Sequence, residues 1–361
     1  MREKKPILII AEAGVNHNGS EEVALELIDA AVDAGADIVK FQTFRAERLA
    51  AKGASKAAYQ VESSRINETQ FEMLRRLELS PDSHFKLEKH CRRQGIEFLS
   101  TAFDIESLSF LIDNFDFQRV KIPSGEITNA PLLLAYARSG RDLILSTGMA
   151  TLSEIEQALS VIAFGLVGWQ EKESMKAFKQ AYISQEGQLA IRNSVTLLHC
   201  TTEYPAPFKD INLLAMQSLS QTFLLPTGYS DHSQGIAVPI AAAACGAAVI
   251  EKHFTLSRGM DGPDHASSLE PSELKAMITS IRQVELAMGD GLKIPRGTEF
   301  KNMEVARKCL VATSGIKKGE KFSCENIGIK RAGDGISPMQ YWSFLGKLAS
   351  EDFNIGEMIC E

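Results

Sequence analysis

Two histidines and two lysines carry the first suggestion of chemistry in this chain. His232 stands in the run GYSDHS and His253 in IEKHFT. A pair of imidazoles at the ends of adjacent expected strands suits a divalent ion that keeps open sites for water or substrate oxygen. Two satisfied histidines without a metal are the alternative reading of the same pair. With nitrogen and oxygen donors and no cysteine cluster, Mn²⁺, Mg²⁺ or Co²⁺ fit better than structural zinc. Lys40 and Lys121, taken with Ser100, Thr101, Ser124 and Ser230, have the make-up of a cradle for phosphate and carboxylate. Lys40 could also pair with Glu12, and the two readings are compatible. Glu12, Glu126 and Asp264 are candidates for general acid or base work or for holding sugar hydroxyls, and residue type alone does not assign which. Cys200 has polar neighbours but no base supplied by any motif, so it reads as a packed thiol.

Residues so far apart share a site only if the fold brings them together. Eight short β-type runs are expected: Ile7–Ala11, Asp37–Phe41, Ile96–Leu99, Arg119–Ile122, Asp142–Leu145, Val195–Leu198, Phe223–Gly228 and Ala247–Glu251. Helical patterns such as Glu21–Ala34, Ser83–Arg93, Ser153–Ala163 and Ser272–Met288 alternate with them, with Ser20 and Ser153 as N-cap signals. Eight strand–helix units predict a (β/α)₈ TIM barrel rather than an open sheet. The first turn, Gly14-Val15-Asn16-His17-Asn18-Gly19, also lacks the G-x-G-x-x-G phosphate loop of a doubly wound fold. In such a barrel the C-terminal strand ends converge on one mouth. Polar residues follow every expected strand, among them Gln42, Ser146, Thr202, Tyr204 and Lys252. A purely structural barrel has no reason for that pattern.

The wider sequence bounds the reading. The chain has 361 residues, 44% hydrophobic and 24% charged, with a formal charge of -7. An acidic surface of this kind argues against nucleic acid and anionic membranes as partners. Six scattered cysteines read as reduced thiols, and neither a signal peptide nor a membrane span is recognised, so a cytoplasmic location is expected. The polar stretch 43–67 is a candidate lid over the barrel mouth. The Lys/Glu/Gln-rich insertion 165–193 reads as a solvated helical excursion on the N-terminal face. The expected domains are a catalytic barrel over 1–288, a linker over 289–301 and a small β-rich module over 302–361, with short runs at Cys309–Ala312, Ile327–Lys330 and Ile355–Ile359.

Several segments in order, AEAGVNHNGS, IVKFQTF, FLSTAFD, VKIPSGEITN, ILSTGM, LLHCTTEYPAP, GYSDHS, IEKHFT and GPDHASSLEP, resemble the sialic acid synthases. KRAGDGISP near the C-terminus resembles the antifreeze-like (SAF) domain of those enzymes. The resemblance implies that phosphoenolpyruvate is the co-substrate and that a divalent ion, Mn²⁺ first, is held by His232 and His253. It implies that Lys40, Thr101, Lys121, Ser124 and Ser230 hold phosphoenolpyruvate. Glu12, Gln42, Glu126, Tyr204 and Asp264 would surround the amino sugar and the reacting carbons. Arg331 would reach the partner's site in a domain-swapped homodimer. One position departs: Thr202, followed by Glu203, stands where some members have asparagine.

The implied reaction joins C3 of phosphoenolpyruvate to an open-chain N-acetylated amino-sugar aldehyde polarised by the ion. Water adds at C2 and phosphate leaves by C–O cleavage, with Glu12 and Glu126 as candidates for the proton transfers and the lysines stabilising the departing charge. The expected acceptor is N-acetylmannosamine, giving N-acetylneuraminate, or a related N-acetylated amino-sugar aldehyde. The 6-phosphate of N-acetylmannosamine and 2,4-diacetamido-2,4,6-trideoxymannose, giving N,N'-diacetyllegionaminate, are the alternatives. A non-catalytic sugar- or ice-binding protein is the alternative of another class.

Overall fold

Strand β1 (Leu8–Gly14) is almost wholly buried, because a parallel sheet is covered by helices outside and filled by its own side chains inside. The same holds for β2 (Ile38–Thr43), β3 (Glu97–Ala102), β4 (Arg119–Ile122), β5 (Asp142–Ser146), β6 (Val195–Cys200), β7 (Thr227–Asp231) and β8 (Val249–His253). All pair in parallel in the order β3-β2-β1-β8-β7-β6-β5-β4, and β3 and β4 lie against each other. The result is a near-closed (β/α)₈ barrel. This computed structural model describes residues 5–51, 53–56 and 68–360. Most of the expected lid, 52 and 57–67, lies outside the described residues.

Every expected barrel strand is present, most of them extending a few residues further toward the C-terminus. The largest shift is at β7. Phe223, expected to begin the strand, closes the helix Ala215–Phe223, and Leu224 caps it in the left-handed region at φ 55°. An apolar Phe-Leu-Leu run fits a buried helix end as well as a strand, which is why periodicity misplaced it. The helix Glu21–Ala34 does open on Ser20, whose hydroxyl accepts the Val23 N–H. Ser153 is not a cap. The helix Leu152–Leu166 opens on Thr151, whose hydroxyl accepts the Glu154 N–H while the Glu154 carboxylate accepts the Thr151 N–H. Ser153 also has a glutamate three residues on, Glu156, but it already lies within the first turn of the helix, so it cannot be the cap.

The 165–193 insertion is helical, as Met175–Ile183 and Gln185–Ser194, but less solvated than expected. Ala177, Phe178, Ala181 and Ile191 are buried, and the Phe178 ring meets Phe164 of a barrel helix edge-on at 5.0 Å. The chain divides into two units, Met1–Gly289 and Asp290–Glu361. Within the second, the expected linker stretch turns helical at Gly297 (Gly297–Ala306). β9 (Cys309–Ala312) and β10 (Ile327–Lys330) pair antiparallel over a core that includes Leu310, Phe322, Phe344 and Phe353. The run Ile355–Ile359 is no strand; Met358 makes a single antiparallel bridge to Val311.

Candidate active site

The C-terminal rim of the barrel holds a cavity of about 250 Å³. Strand alternation decides what enters it. On β1 and β2, Glu12, Lys40 and Gln42 point inward. On β7 and β8, Ser230, Glu251 and His253 do the same, while Asp231 and Lys252 alternate to the other face. Of the residues expected from sequence, Glu12, Lys40, Gln42, Thr101, Lys121, Ser124, Tyr204, Ser230, His232, His253 and Asp264 all line this one cavity. Glu126 does not. It ends the short turn Ser124–Glu126, and its carboxylate accepts a 2.7 Å hydrogen bond from Asn129. Arg331 is an exposed residue of the second unit, directly after β10.

The centre of the cavity is a buried charge cluster. Lys40 is ion-paired with Glu12, as its position suggested, and donates to Thr101 at 3.2 Å. Glu251 was not anticipated. Its carboxylate stands 3.6 Å from Lys40 and 3.4 Å from Lys121, and accepts from the Ser230 hydroxyl at 2.8 Å. Burial works against its charge, but Lys121 and Lys40 outweigh burial and hold it at about 2. Glu12 behaves oppositely: burial pushes it up to about 7, where a carboxyl can exchange protons near neutral pH. Burial likewise raises Asp264 to about 6. Burial also pulls the Lys121 ammonium down.

Around this cluster the walls differ. Ser124 meets the Cys200 thiol at 3.1 Å and accepts the Gly148 N–H at 3.0 Å. Burial pushes the Cys200 thiol up, in keeping with a packed rather than nucleophilic cysteine. Gly148 is required for this approach, because a Cβ there would lie 2.4 Å from Thr202 Oγ1 and 2.8 Å from Cys200 Sγ. Met73, Leu74 and Leu77, from the helix Gln70–Leu77, supply an apolar wall that sequence reading missed. Asn16 and His17, in the turn after β1, are buried and do not line the cavity. Asn16 donates to the Phe254 carbonyl and the Ser268 hydroxyl, binding the loop after β1 to the loop after β8.

His232 and His253 are neighbours, with ring centroids 5.7 Å apart, and Tyr204 lies against His232 at 4.1 Å. Burial lowers both pKa values, so the rings are neutral, the form that binds a cation. His232 uses Nδ1 on the Thr201 carbonyl at 2.7 Å, leaving the Nε2 lone pair free to ligate. His253 Nδ1 is buried without a hydrogen-bond partner, 3.8 Å from an Asp264 oxygen. Among the described residues no set of three or more acidic, histidine or cysteine side chains forms a complete cage. Two neutral rings, with His232 Nε2 and His253 Nδ1 unbonded, are the residues that could hold a divalent ion whose other ligands are water and substrate oxygens.

Fold and site together define a (β/α)₈-barrel protein whose lysine cradle and imidazole pair share one rim. The NeuB family is matched over residues 27–293, and the chain belongs to that family. It is 49% identical to the N,N'-diacetyllegionaminic acid synthase of Campylobacter jejuni, an alignment covering 99% of this chain and 100% of that one. It is 42% identical to the N,N'-diacetyllegionaminic acid synthase of Legionella pneumophila, over 96% and 92%. Among solved structures, the N-acetylneuraminic acid synthetase of Leptospira borgpetersenii in complex with citrate superposes with a TM-score of 0.66 at 34% identity, over 83% of this chain and 90% of that one.

Proposed function

We propose that this enzyme condenses phosphoenolpyruvate with an N-acetylated amino-sugar aldehyde and water, releasing phosphate and a nonulosonic acid. The observation that carries the proposal is the cradle of Lys40 and Lys121 beside the His232–His253 pair in one cavity. In this reading Lys40 and Lys121 bind the phosphate and carboxylate, with hydrogen bonds from Thr101, Ser124 and Ser230. Gln42, Tyr204 and Asp264 hold the sugar. Glu12, whose carboxyl is poised near 7, moves the proton as the aldehyde oxygen becomes a hydroxyl. Glu126 is the second proton-transfer candidate; its bond to Asn129 assigns it to a turn beside the cavity, so Glu12 is preferred. A divalent ion on His232 and His253, Mn²⁺ before Mg²⁺ or Co²⁺, supplies Lewis acidity toward the acceptor when bound. The second unit is read as the antifreeze-like domain, lending Arg331 to the partner's site in a domain-swapped homodimer, and the enzyme as cytoplasmic.

The acceptor we favour is 2,4-diacetamido-2,4,6-trideoxymannose, giving N,N'-diacetyllegionaminate. The two synthases at 49% and 42% identity both carry that product in their names. The apolar wall of Met73, Leu74 and Leu77 also suits a 6-methyl and acetyl groups better than the 6-hydroxyl of N-acetylmannosamine. A 6-phosphate would need a further cation there. Phosphate release with phosphoenolpyruvate, Mn²⁺ and each of the three sugars tests the proposal. The 6-deoxy sugar is expected to win by roughly tenfold or more in kcat/KM. Release with none of them rejects the synthase and returns the binding-protein reading.

A further inference from the structure

Behind the cavity, on the opposite face of β7 and β8, a second ion pair is sealed from solvent. Asp231 and Lys252 are register partners on those strands, and Lys252 Nζ meets Asp231 Oδ2 at 2.6 Å. Both side chains are 0% exposed, and neither lines the cavity. The pair is tied into the backbone on both sides of His232. Asp231 Oδ1 accepts the Ser233 N–H at 2.9 Å, and Lys252 Nζ also donates to the Ser233 carbonyl. Residues 231 and 233 are thus clamped by one ammonium, which belongs to the residue immediately before His253.

We propose that the buried Asp231–Lys252 pair is a positioning device that sets the spacing of His232 and His253 for the metal. The inference rests on the metal reading given above and adds to it residues that touch neither ion nor substrate. β7 stops at Asp231, so His232 lies just past the last ladder position; its ring is held by the Thr201 carbonyl and its own carbonyl by the Ala206 N–H, and the Asp231–Lys252 pair adds a restraint on the backbone to either side. An exposed pair could not supply one, since solvent would loosen it. A fully enclosed ammonium holding a carboxylate and a carbonyl at once has no alternative partners to move to. A hydrophobic contact would fill the same space without fixing the Ser233 backbone. Groups hydrogen-bonded directly to metal ligands typically govern metal affinity by about 10- to 100-fold, and a restraint on the backbone beside a ligand acts at the lower end of that range.

The test uses the full-length enzyme and Mn²⁺ alone, with free ion counted by electron paramagnetic resonance. Lys252→Met leaves Asp231 buried and unpaired and risks the fold. The double substitution Asp231→Asn with Lys252→Met removes both charges, and Asn Oδ1 can still accept the Ser233 N–H. That double variant is expected to fold and to bind phosphoenolpyruvate without metal as the wild type does. Its Mn²⁺ dissociation constant is expected to rise about 10-fold or more. A folded double variant with wild-type Mn²⁺ affinity overturns the proposal while leaving the metal site standing. A wild type that binds no Mn²⁺ overturns both together. Hydrogen exchange on the wild type needs no variant. Segment 229–234 should be as protected without Mn²⁺ as with it, and protection that appears only on adding the ion overturns the proposal.

Discussion

Lys121 Nζ stands 3.4 Å from Glu251 Oε1, and both side chains are nearly fully enclosed. The cationic cradle therefore has a built-in counter-charge before any anion arrives. Lys40 lies 3.6 Å from the other Glu251 oxygen, so a single carboxylate spaces two ammoniums that would otherwise repel across the barrel mouth. The positions of the two ammoniums are thus fixed by one shared carboxylate.

Removing Lys121 breaks this arrangement on both sides. Lys121→Met leaves Glu251 buried with Lys40 as its remaining ammonium and deprives the anion of one contact. Truncating one member of a buried charge pair costs about 2–4 kcal/mol, equivalent to a roughly 30-fold or greater rise in the KM for phosphoenolpyruvate. Steady-state phosphate release at saturating sugar measures it, and an unchanged KM would remove Lys121 from the cradle.

The floor of the site should be intolerant of one added methyl group. Gly148→Ala would place a Cβ 2.8 Å from Ser124 Oγ and 2.4 Å from Thr202 Oγ1. Because those atoms line the cavity, the strain of about 1–3 kcal/mol is relieved by pushing them into the substrate's space. Activity is expected to fall at least about tenfold while the melting temperature drops by only a few degrees. Kinetics and thermal unfolding of the one variant together check this.

Acid should loosen the contact between the loops after β1 and β8. Burial lowers His17 and His265 to about 4, and His265 Nδ1 is bonded to the Thr255 hydroxyl at 2.6 Å. The unfolded chain takes up protons at these rings below the ordinary value of about 6.5, and the folded chain only near 4. Stability is thus complete above about 6.5 and is lost as pH falls from there toward 4, at about 1.4 kcal/mol per unit for each ring. Thermal unfolding between those limits should show a falling midpoint, shallower in His265→Gln; a flat profile contradicts it.

The insertion is expected to matter for stability and not for chemistry. Phe178 is buried against Phe164, so Phe178→Ala should cost about 3 kcal/mol. The kcat and KM at low temperature should stay at wild-type values. Denaturant unfolding and assays on the same preparation separate the two effects.

What could be read from sequence follows from where the signals lie. Strand–helix alternation exposes the barrel because parallel strands are apolar on both faces. The pairing of Lys40 with Glu12 was legible because each ends a strand of adjacent index. Glu251 escaped notice because the expected strand ended on it and only the residues beyond were read as rim groups; β8 in fact runs on to His253, two residues further. The i, i+2 relation that puts both on the inner face was the available signal, together with the need of two buried lysines for a counter-charge. Met73, Leu74 and Leu77 carried no comparable mark, since an amphipathic helix reads the same whether its apolar face meets a core or a substrate. Glu126 was misleading for the converse reason: it follows a strand, but the turn Ser124–Glu126 directs its carboxylate to Asn129.

The central claim is that one rim holds both an ion and the anionic substrate. A crystal soaked with Mn²⁺ and phosphoenolpyruvate, read at the manganese absorption edge, tests it in one measurement. The account predicts an anomalous peak bonded to His232 and His253, with the phosphate and carboxylate of the substrate against Lys40 and Lys121. A manganese peak elsewhere in the molecule, or phosphoenolpyruvate bound away from both lysines, would contradict it.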